Sequence, residues 1–206
     1  TRADSVARRS TQTAMYLVAE ALVRWLAPIL SFTAEEIWLN LPGEREESVF
    51  LETWYVLPEM FLPQEDADQK FGMVYWREVL AVRDAVKKEL EKLRVAGDIG
   101  SSLDAEVDLY CDADWLARLS RLEDELRFVL ITSYARLHPF GEQTSDAISV
   151  DLNGTQMAIW VTPSDYGKCV RCWHHREDVG GNVDHPELCG RCVENVDGRG
   201  EQRRYA

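Results

Sequence analysis

Four cysteines near the C-terminal end constrain the fold of this chain more than any other feature. They form two Cys-x2-Cys pairs, Cys169 with Cys172 and Cys189 with Cys192, and 16 residues separate the pairs. Two residues between paired cysteines form a tight knuckle that turns both sulfur atoms toward one point, and two knuckles complete a tetrahedron. This spacing is typical of a structural zinc site. We therefore predict one zinc ion per chain, held by these four thiolates.

Other interpretations of the cysteines have less support. Disulfide bonds require an oxidising compartment, whereas nothing in the sequence is typical of secretion, and the fifth cysteine, Cys111, is expected to face a core. Iron is the alternative metal for the same ligands. His174, His175 and His185 lie between the pairs, but four thiolates leave them no ligand position, so we expect them at the surface or beside the ligands. A closed four-thiolate site also has no open position for catalytic water.

The zinc-binding segment, residues 165–206, differs from the rest of the chain in charge. It carries seven Lys and Arg against eight Asp and Glu, within a chain whose net charge is −13. The segment is too short to bury a stable core unaided, so the metal supplies part of its folding free energy. Because phosphate binding uses Lys and Arg, we expect nucleic acid to contact this segment rather than the acidic remainder.

Composition excludes several classes of protein. Hydrophobic residues at 46% and charged residues at 29% are ordinary for a globular chain and exclude disordered or collagen-like sequences. The longest apolar stretch near the start, residues 15–23, is interrupted by Glu20 and is too short to span a bilayer. The chain starts at Thr1 without a signal-peptide core. We expect a piece of a longer, cytoplasmic and monomeric protein with no membrane partner.

Apolar spacing predicts an α+β multidomain chain that begins, in residues 1–62, with the end of an α-helical bundle. Apolar residues recur at helical spacing from Asp4 to Leu26, and Pro28 ends this helix. Thr33 and Glu36 have the spacing of a capping box, which predicts the start of a second helix there. A proline-containing irregular stretch then forms a linker.

Residues 63–164 are predicted to form a small α+β junction domain with a largely antiparallel sheet, and residues 165–206 a zinc ribbon with four cysteine ligands. Alternating polarity turns Cys111 toward the core, and Asn-Gly is a strong hairpin signal. The predicted elements, in chain order, are a helix from Phe71 to Leu93 closed by Gly97, a strand over 103–111, a helix from Leu116 to Leu126, a β-rich stretch over 128–132, and a hairpin of 148–152 with 157–161 across Asn153-Gly154.

Aromatic and basic residues of the ribbon suit unpaired RNA. Trp173 directly follows a predicted ligand, Arg171 and Arg191 each lie inside a knuckle, and Arg203 and Arg204 add cations near the end. Guanidinium groups contact phosphates, and aromatic rings stack on unpaired bases. Two alternatives stay open: the Trp173 ring packs on the ribbon's own small core, and the terminal arginines form a solvated tail.

Two stretches of sequence carry a resemblance to a known family. The knuckle sequences Cys169-Val170-Arg171-Cys172-Trp173 and Cys189-Gly190-Arg191-Cys192 resemble the C-terminal zinc finger of bacterial isoleucyl-tRNA synthetases, a finger type shared with formamidopyrimidine-DNA glycosylases. Near the other end, the Ala-Pro, Glu-Glu-x-Trp and Ser-Val elements within residues 27–50 resemble the closing helices of the anticodon-binding domain in class I synthetases for isoleucine, leucine and valine. Residues 125–130 are similar to the bacterial C-terminal region.

The resemblance implies that the helices and the ribbon bind the anticodon stem and loop of isoleucine tRNA. Sequences resembling the class I nucleotide signatures, His-Ile-Gly-His and Lys-Met-Ser-Lys-Ser, are absent. ATP would therefore bind in a missing catalytic domain of the same parent chain, which would also carry the editing domain, and no residue here is catalytic.

Two alternatives belong to other functional classes. The chain could be the finger region of a DNA glycosylase, although those enzymes use an N-terminal proline nucleophile and this chain starts inside a predicted helix. It could also be a zinc-stapled protein-interaction module with no nucleic-acid role.

Overall fold

The computed structural model describes residues 2, 4–58, 71–152 and 154–204. The chain divides into one unit of Ala3–Gln64 and a second unit of Thr1–Arg2 with Glu65–Ala206. The predicted boundary between residues 62 and 63 lies outside the described residues, as does the terminal Tyr205. Within the described ranges, no helix combines the length and the apolarity needed to cross a membrane.

Two helices form most of the first unit, as their apolar spacing predicts. Helix α1 is Val6–Leu26 and helix α2 is Ser31–Asn40, and a short 3-10 helix covers Val49–Leu51. The hydroxyl of Ser5 caps α1 by accepting a hydrogen bond from the Arg8 amide. The small apolar core of this unit is buried between these elements and consists of Val23, Ala27, Ala34, Trp38 and Val49.

The predicted capping box of Thr33 and Glu36 is wrong. Helix α2 begins at Ser31, so Thr33 already lies in its first turn, and the N-cap position is Leu30, whose side chain makes no capping hydrogen bond. The end of α1 leads directly into α2, because the Leu30 amide bonds the Leu26 carbonyl at 2.7 Å while the Leu30 carbonyl accepts from Ala34 at 2.8 Å. This tight junction leaves no extended residue at position 33 that could act as a cap.

Charged side chains form a cluster around the Trp38 ring of the first unit. The Arg24 and Arg45 guanidinium groups lie 4.7 and 4.4 Å from the ring centroid. Glu20 accepts from both arginines, and Glu52 also pairs with Arg24 at 3.2 Å. Arginine and tryptophan therefore stabilise each other here by cation–π contact as well as by ion pairing.

The second unit contains a four-stranded sheet with helices on one face. The strand order is β2-β1-β4-β3; β1 pairs in parallel with β2, and the other two pairings are antiparallel. The elements are α3 Met73–Ala96, β1 Ala105–Cys111, α4 Ala113–Leu119, α5 Leu126–Leu130, β2 Tyr134–Pro139, β3 Ile148–Leu152, β4 Thr155–Pro163 and α6 Gly190–Val196. This α+β architecture agrees with the predicted fold class.

The predicted helix, hairpin and core residue of this region are confirmed. Gly97 ends α3 with a φ of +86°, a left-handed conformation that glycine adopts without strain. Leu152 pairs with Thr155 across the hairpin turn, of which Asn153 lies outside the described residues. Cys111 is buried in the main core, where burial and the neighbouring Asp112 raise the pKa of its thiol to about 12.

The predicted β-rich stretch over 128–132 is wrong, because Leu126–Leu130 form helix α5. Phe128 and Val129 favour strands by propensity, but Leu126 and Leu130 are spaced by four and are both buried against the sheet. Burial of this pair therefore determines the local structure. The helix predicted from Leu116 to Leu126 is also interrupted, since Glu123 adopts a positive φ of 51° between α4 and α5.

Substitution of Leu109 tests which residues form the core of the second unit. It is fully buried on the central strand β1, so Leu109→Ala should lower the free energy of unfolding by about 2 to 5 kcal/mol. Urea unfolding followed by circular dichroism measures the change. Val95→Ala, on the exposed end of α3, is the control and should change stability by less than about 0.5 kcal/mol. Equal effects of the two substitutions would contradict this core assignment.

Candidate metal centre and nucleic-acid interface

The four predicted zinc ligands converge on one point. The Sγ atoms of Cys169, Cys172, Cys189 and Cys192 all lie within 4.8 Å of one another, and those of Cys172 and Cys189 are 3.7 Å apart. Zinc–sulfur bonds of about 2.3 Å place tetrahedral sulfurs about 3.8 Å apart. Three of the four residues are buried and the fourth is half-buried. The donor set and its spacing therefore fit a structural zinc ion.

Backbone hydrogen bonds shape the first knuckle. The Cys169 amide donates to the His174 carbonyl at 2.9 Å, and the Trp173 amide donates to the Cys169 carbonyl at 2.8 Å. Lys168 and His175 pair as an antiparallel bridge that closes the loop. Trp173 turns the chain with a φ of +64°, in the left-handed region that a tryptophan rarely adopts. Its side chain is 62% exposed, so the ring is not packed on a ribbon core.

The second knuckle leads directly into helix α6. The Cys192 and Val193 amides donate to the Cys189 carbonyl at 2.8 and 3.0 Å. The Asp178 carboxylate accepts from the Gly190 amide at 2.9 Å, and a Cβ atom at Gly190 would lie only 2.8 Å from this carboxylate. A larger residue at position 190 would therefore have to displace the Asp178 carboxylate from this hydrogen bond.

The arginine inside each knuckle acts on a sulfur of the other knuckle. Arg171 Nη1 donates to Cys192 Sγ at 3.6 Å. Burial alone would lower the pKa of Arg191, but the Cys172 sulfur and the Glu201 carboxylate raise it. Two guanidinium groups thus oppose the negative charge that four thiolates bring together.

The ribbon packs on the sheet of its own unit through polar contacts. Lys168 Nζ lies 2.8 Å from Asp104, and the His175 amide donates to the hydroxyl of buried Ser133 at 2.6 Å. The Arg176 guanidinium lies 4.1 Å from the Tyr134 ring centroid. Burial alone would raise the pKa of Asp104, but hydrogen bonds from Lys168 and two backbone amides lower it to about 2. The Asp104 carboxylate is therefore charged at neutral pH, and its ion pair with Lys168 attaches the ribbon to the sheet.

The five residues predicted to bind RNA do not share one surface. Trp173, Arg171 and Arg204 are exposed, and the Arg204 amide donates to Glu125 at 2.7 Å. Arg191 and Arg203 are half-buried, and each has an ion pair with Glu201 at 3.3 Å. The structure thus separates the exposed Trp173, Arg171 and Arg204 from a half-buried pair of arginines.

The half-buried arginines surround Phe128, a residue that sequence reasoning missed. The guanidinium carbons of Arg203, Arg127 and Arg191 lie 3.7, 4.1 and 5.1 Å from the Phe128 ring centroid. The His174 ring meets it edge-on at 5.7 Å. Leu126 and Leu130 flank Phe128 at helical spacing. That spacing was the sequence signal that could have revealed this cluster.

The chain matches two protein-family models. The anticodon-binding domain of tRNA ligases matches residues 1–109, more than half of the chain, and the zinc finger found in FPG and IleRS matches residues 167–195. The first match continues past residue 62 into α3 and β1. Together the two matches favour the tRNA-ligase interpretation over the DNA glycosylase alternative.

Curated relatives agree with both matches. The chain is 59% identical to an isoleucine–tRNA ligase of Nitrosococcus oceani, 58% to one of Thioalkalivibrio sulfidiphilus and 55% to one of Methylococcus capsulatus. These alignments cover 99–100% of this chain but only 21–22% of each relative. The chain therefore spans about a fifth of the length of the relatives that it matches.

Counting reactive thiols tests the metal site and its independence from the sheet. The main core contains no ribbon cysteine among its described members, so chelation should unfold the ribbon and spare the sheet. With a thiol reagent at pH 8, we expect no rapid reaction of the zinc-loaded protein. After chelation, four of the five cysteines should react, because the pKa of about 12 keeps Cys111 protonated. All five should react in denaturant.

Cys111→Ala is the matched control and should give the same four thiols after chelation with or without denaturant. Elemental analysis of the purified protein should find one zinc ion per chain, and Cys189→Ala should reduce it. Reaction of the fifth thiol after chelation alone would show that the sheet also depends on the metal.

Proposed function

We propose, from the premise that this chain belongs to the family of tRNA ligases that share this anticodon-binding domain, that it recognises the anticodon stem and loop of isoleucine tRNA. The names of the relatives support isoleucine as the amino acid that the whole protein attaches to tRNA with ATP. In this proposal the catalytic and editing domains lie elsewhere in the parent chain. The present chain contributes recognition and holds one zinc ion.

The proposal assigns three parts to the chain. Residues 1–62 end the anticodon-binding helices, residues 63–164 form the junction domain, and residues 165–206 form the zinc ribbon. The parent protein acts as a cytoplasmic monomer. Its partners are isoleucine tRNA and the other domains of the same chain.

The exposed ring of Trp173 is the observation that carries the proposal. The residue follows a zinc ligand, and its left-handed backbone is held by hydrogen bonds within the knuckle. A strained backbone that the surrounding structure maintains points to a function for the residue. A large exposed aromatic ring next to Arg171 suits an unpaired base and its phosphate, and one base–aromatic stack contributes about 1 to 3 kcal/mol.

The arginines have different roles in this proposal. Arg171 and Arg204 are exposed and contact phosphates directly. Arg191 and Arg203 contribute positive potential from behind this surface, because Glu201 and the Phe128 ring hold their side chains. The near-neutral ribbon thus supplies the cations of this proposal in an otherwise acidic chain.

Substitution of Trp173 separates stacking from phosphate contact. Trp173→Ala should weaken isoleucine-tRNA binding about 5- to 150-fold, as expected for the loss of one stack. The loss should depend little on salt, because stacking releases no counterions. Trp173→Phe should retain most of the affinity. Fluorescence anisotropy with labelled tRNA at several salt concentrations measures these effects, and Val183→Ala, at another exposed ribbon site, is the control.

Replacement of both Arg203 and Arg204 by Gln should instead flatten the slope of log affinity against log salt, by up to about 0.9 for each phosphate that these side chains neutralise. In the full-length enzyme, transfer of isoleucine to tRNA should fall in these variants while adenylate formation is retained. Wild-type affinity in Trp173→Ala would show that the ribbon is a structural cap and would contradict the proposal.

A further inference from the structure

A cavity of about 430 Å³ lies between helix α5 and the zinc ribbon. We call it the Phe128 cavity. Its lining includes the Phe128 ring and the residues Arg127, His174, Arg191, Arg203 and Arg204. Trp173 does not line it. The cavity is thus distinct from the exposed stacking surface assigned above.

The inner part of the Phe128 cavity has an excess of positive charge. The side chains of Arg127, Arg191 and Arg203 are 5%, 19% and 23% exposed, and among the described lining residues two carboxylates, those of Glu125 and Glu201, are also half-buried. Burial lowers the pKa of Arg203, and the neighbouring cations Arg191 and Arg127 lower it further against Glu201 and Glu125, which raise it. An anion in this cavity would relieve that repulsion.

The other carboxylates of the lining already have partners. Asp124 pairs with Arg127 at 2.9 Å, Asp178 accepts from the Gly190 amide, and Glu125 accepts from the Arg204 amide. Glu123 lies 4.0 Å from Arg204. Because Glu123, Asp124 and Asp178 are exposed, the three less exposed arginines still outnumber the two half-buried carboxylates of the described lining.

Two buried nitrogen atoms in the lining have no hydrogen-bond partner within the described part of the chain. Arg127 is 4% exposed; its Nε and Nη2 bind Asp124, whereas Nη1 is unpartnered. His174 is 8% exposed; its Nδ1 lies 3.1 Å from the Cys172 carbonyl, and its Nε2 is unpartnered. Because a carbonyl only accepts, Nδ1 carries a proton, and Nε2 is available to hydrogen-bond a ligand. The cavity thus offers one charged donor and one unpartnered ring nitrogen.

We propose that the Phe128 cavity binds one ribose–phosphate unit of RNA. Arg127 Nη1 donates to a phosphate oxygen, and His174 Nε2 hydrogen-bonds the neighbouring 2′-hydroxyl. RNA presents both groups together, whereas DNA lacks the hydroxyl and inorganic phosphate lacks the ribose. This inference rests on the proposed tRNA binding and adds a backbone contact to the Trp173 surface.

The first test measures how salt affects binding of isoleucine tRNA to the zinc-loaded chain. Arg127→Gln should flatten the slope of log affinity against log salt by about 0.7 to 0.9, the value for one phosphate that is no longer neutralised. Arg94→Gln is the matched control, because that exposed arginine pairs with Glu91 at the end of α3, and it should keep the wild-type slope. A wild-type slope in Arg127→Gln, with its zinc content and circular dichroism intact, would overturn the proposal.

A second measurement needs no substitution, so it remains decisive if Arg127→Gln fails to fold. In nitrogen-labelled wild-type protein, an anticodon stem–loop RNA should shift the side-chain resonances of Arg127 Nη1 and His174 Nε2. Unchanged resonances at saturating RNA would overturn the proposal. The proposal would also be overturned if inorganic phosphate shifted both resonances to saturation without competing with RNA. The cavity would then be a site for free phosphate.

The Trp173→Ala variant distinguishes this inference from the proposed function. Weakened binding in Trp173→Ala together with a wild-type slope in Arg127→Gln rejects the Phe128 cavity alone. Absence of tRNA binding by the wild-type chain rejects both.

Discussion

Electrostatic repulsion between four thiolates is the constraint that the ribbon has to satisfy. Four sulfur atoms lie within 4.8 Å of one another, and the core of this segment, among its described residues, consists of the cysteines themselves with Val179 and Leu188 packed beside them. Without a cation the same sulfurs that form the core would push it apart. Zinc supplies most of the compensation, and Arg171 and Arg191 add to it from opposite knuckles. The metal and the two arginines thus replace the apolar core that so short a segment cannot build.

Polar contacts to the sheet then fix where the ribbon presents its functional groups. The buried hydroxyl of Ser133 accepts from the His175 amide and donates to the Leu103 carbonyl, so one side chain joins the ribbon to the loop before β1. Asp104 adds a charged contact with Lys168. Because these residues belong to the same unit, Trp173 and the Phe128 cavity keep a defined relation to the sheet. A zinc ion thereby orients side chains that are not its ligands.

The sequence predicts the features of this fold that depend on local spacing. Cysteine spacing identified the metal site, Gly97 the end of α3, and the Asn-Gly pair the hairpin, because each depends on a few adjacent residues. It could not reveal helix α5, since burial of Leu126 and Leu130 against the sheet overrides the strand propensity of the residues between them. The capping box failed for a related reason, because the tight α1–α2 junction sets where the second helix starts. The Phe128 cavity could not be predicted because Arg191, Arg203 and Arg204 lie 64 to 77 residues from Arg127 along the chain.

The left-handed backbone of Trp173 has a consequence for specificity. An L-residue in that conformation costs about 1 to 2 kcal/mol, which folding around zinc offsets before any RNA arrives. The indole is thus preorganised, and in the proposed function little backbone entropy would be lost on stacking with a base. Differences in affinity among anticodons would then reflect how well the bases stack on the indole rather than the entropic cost of ordering a loop. Without zinc, ordering this backbone would cost entropy at the binding step. Both the affinity for tRNA and the discrimination between tRNAs would then fall.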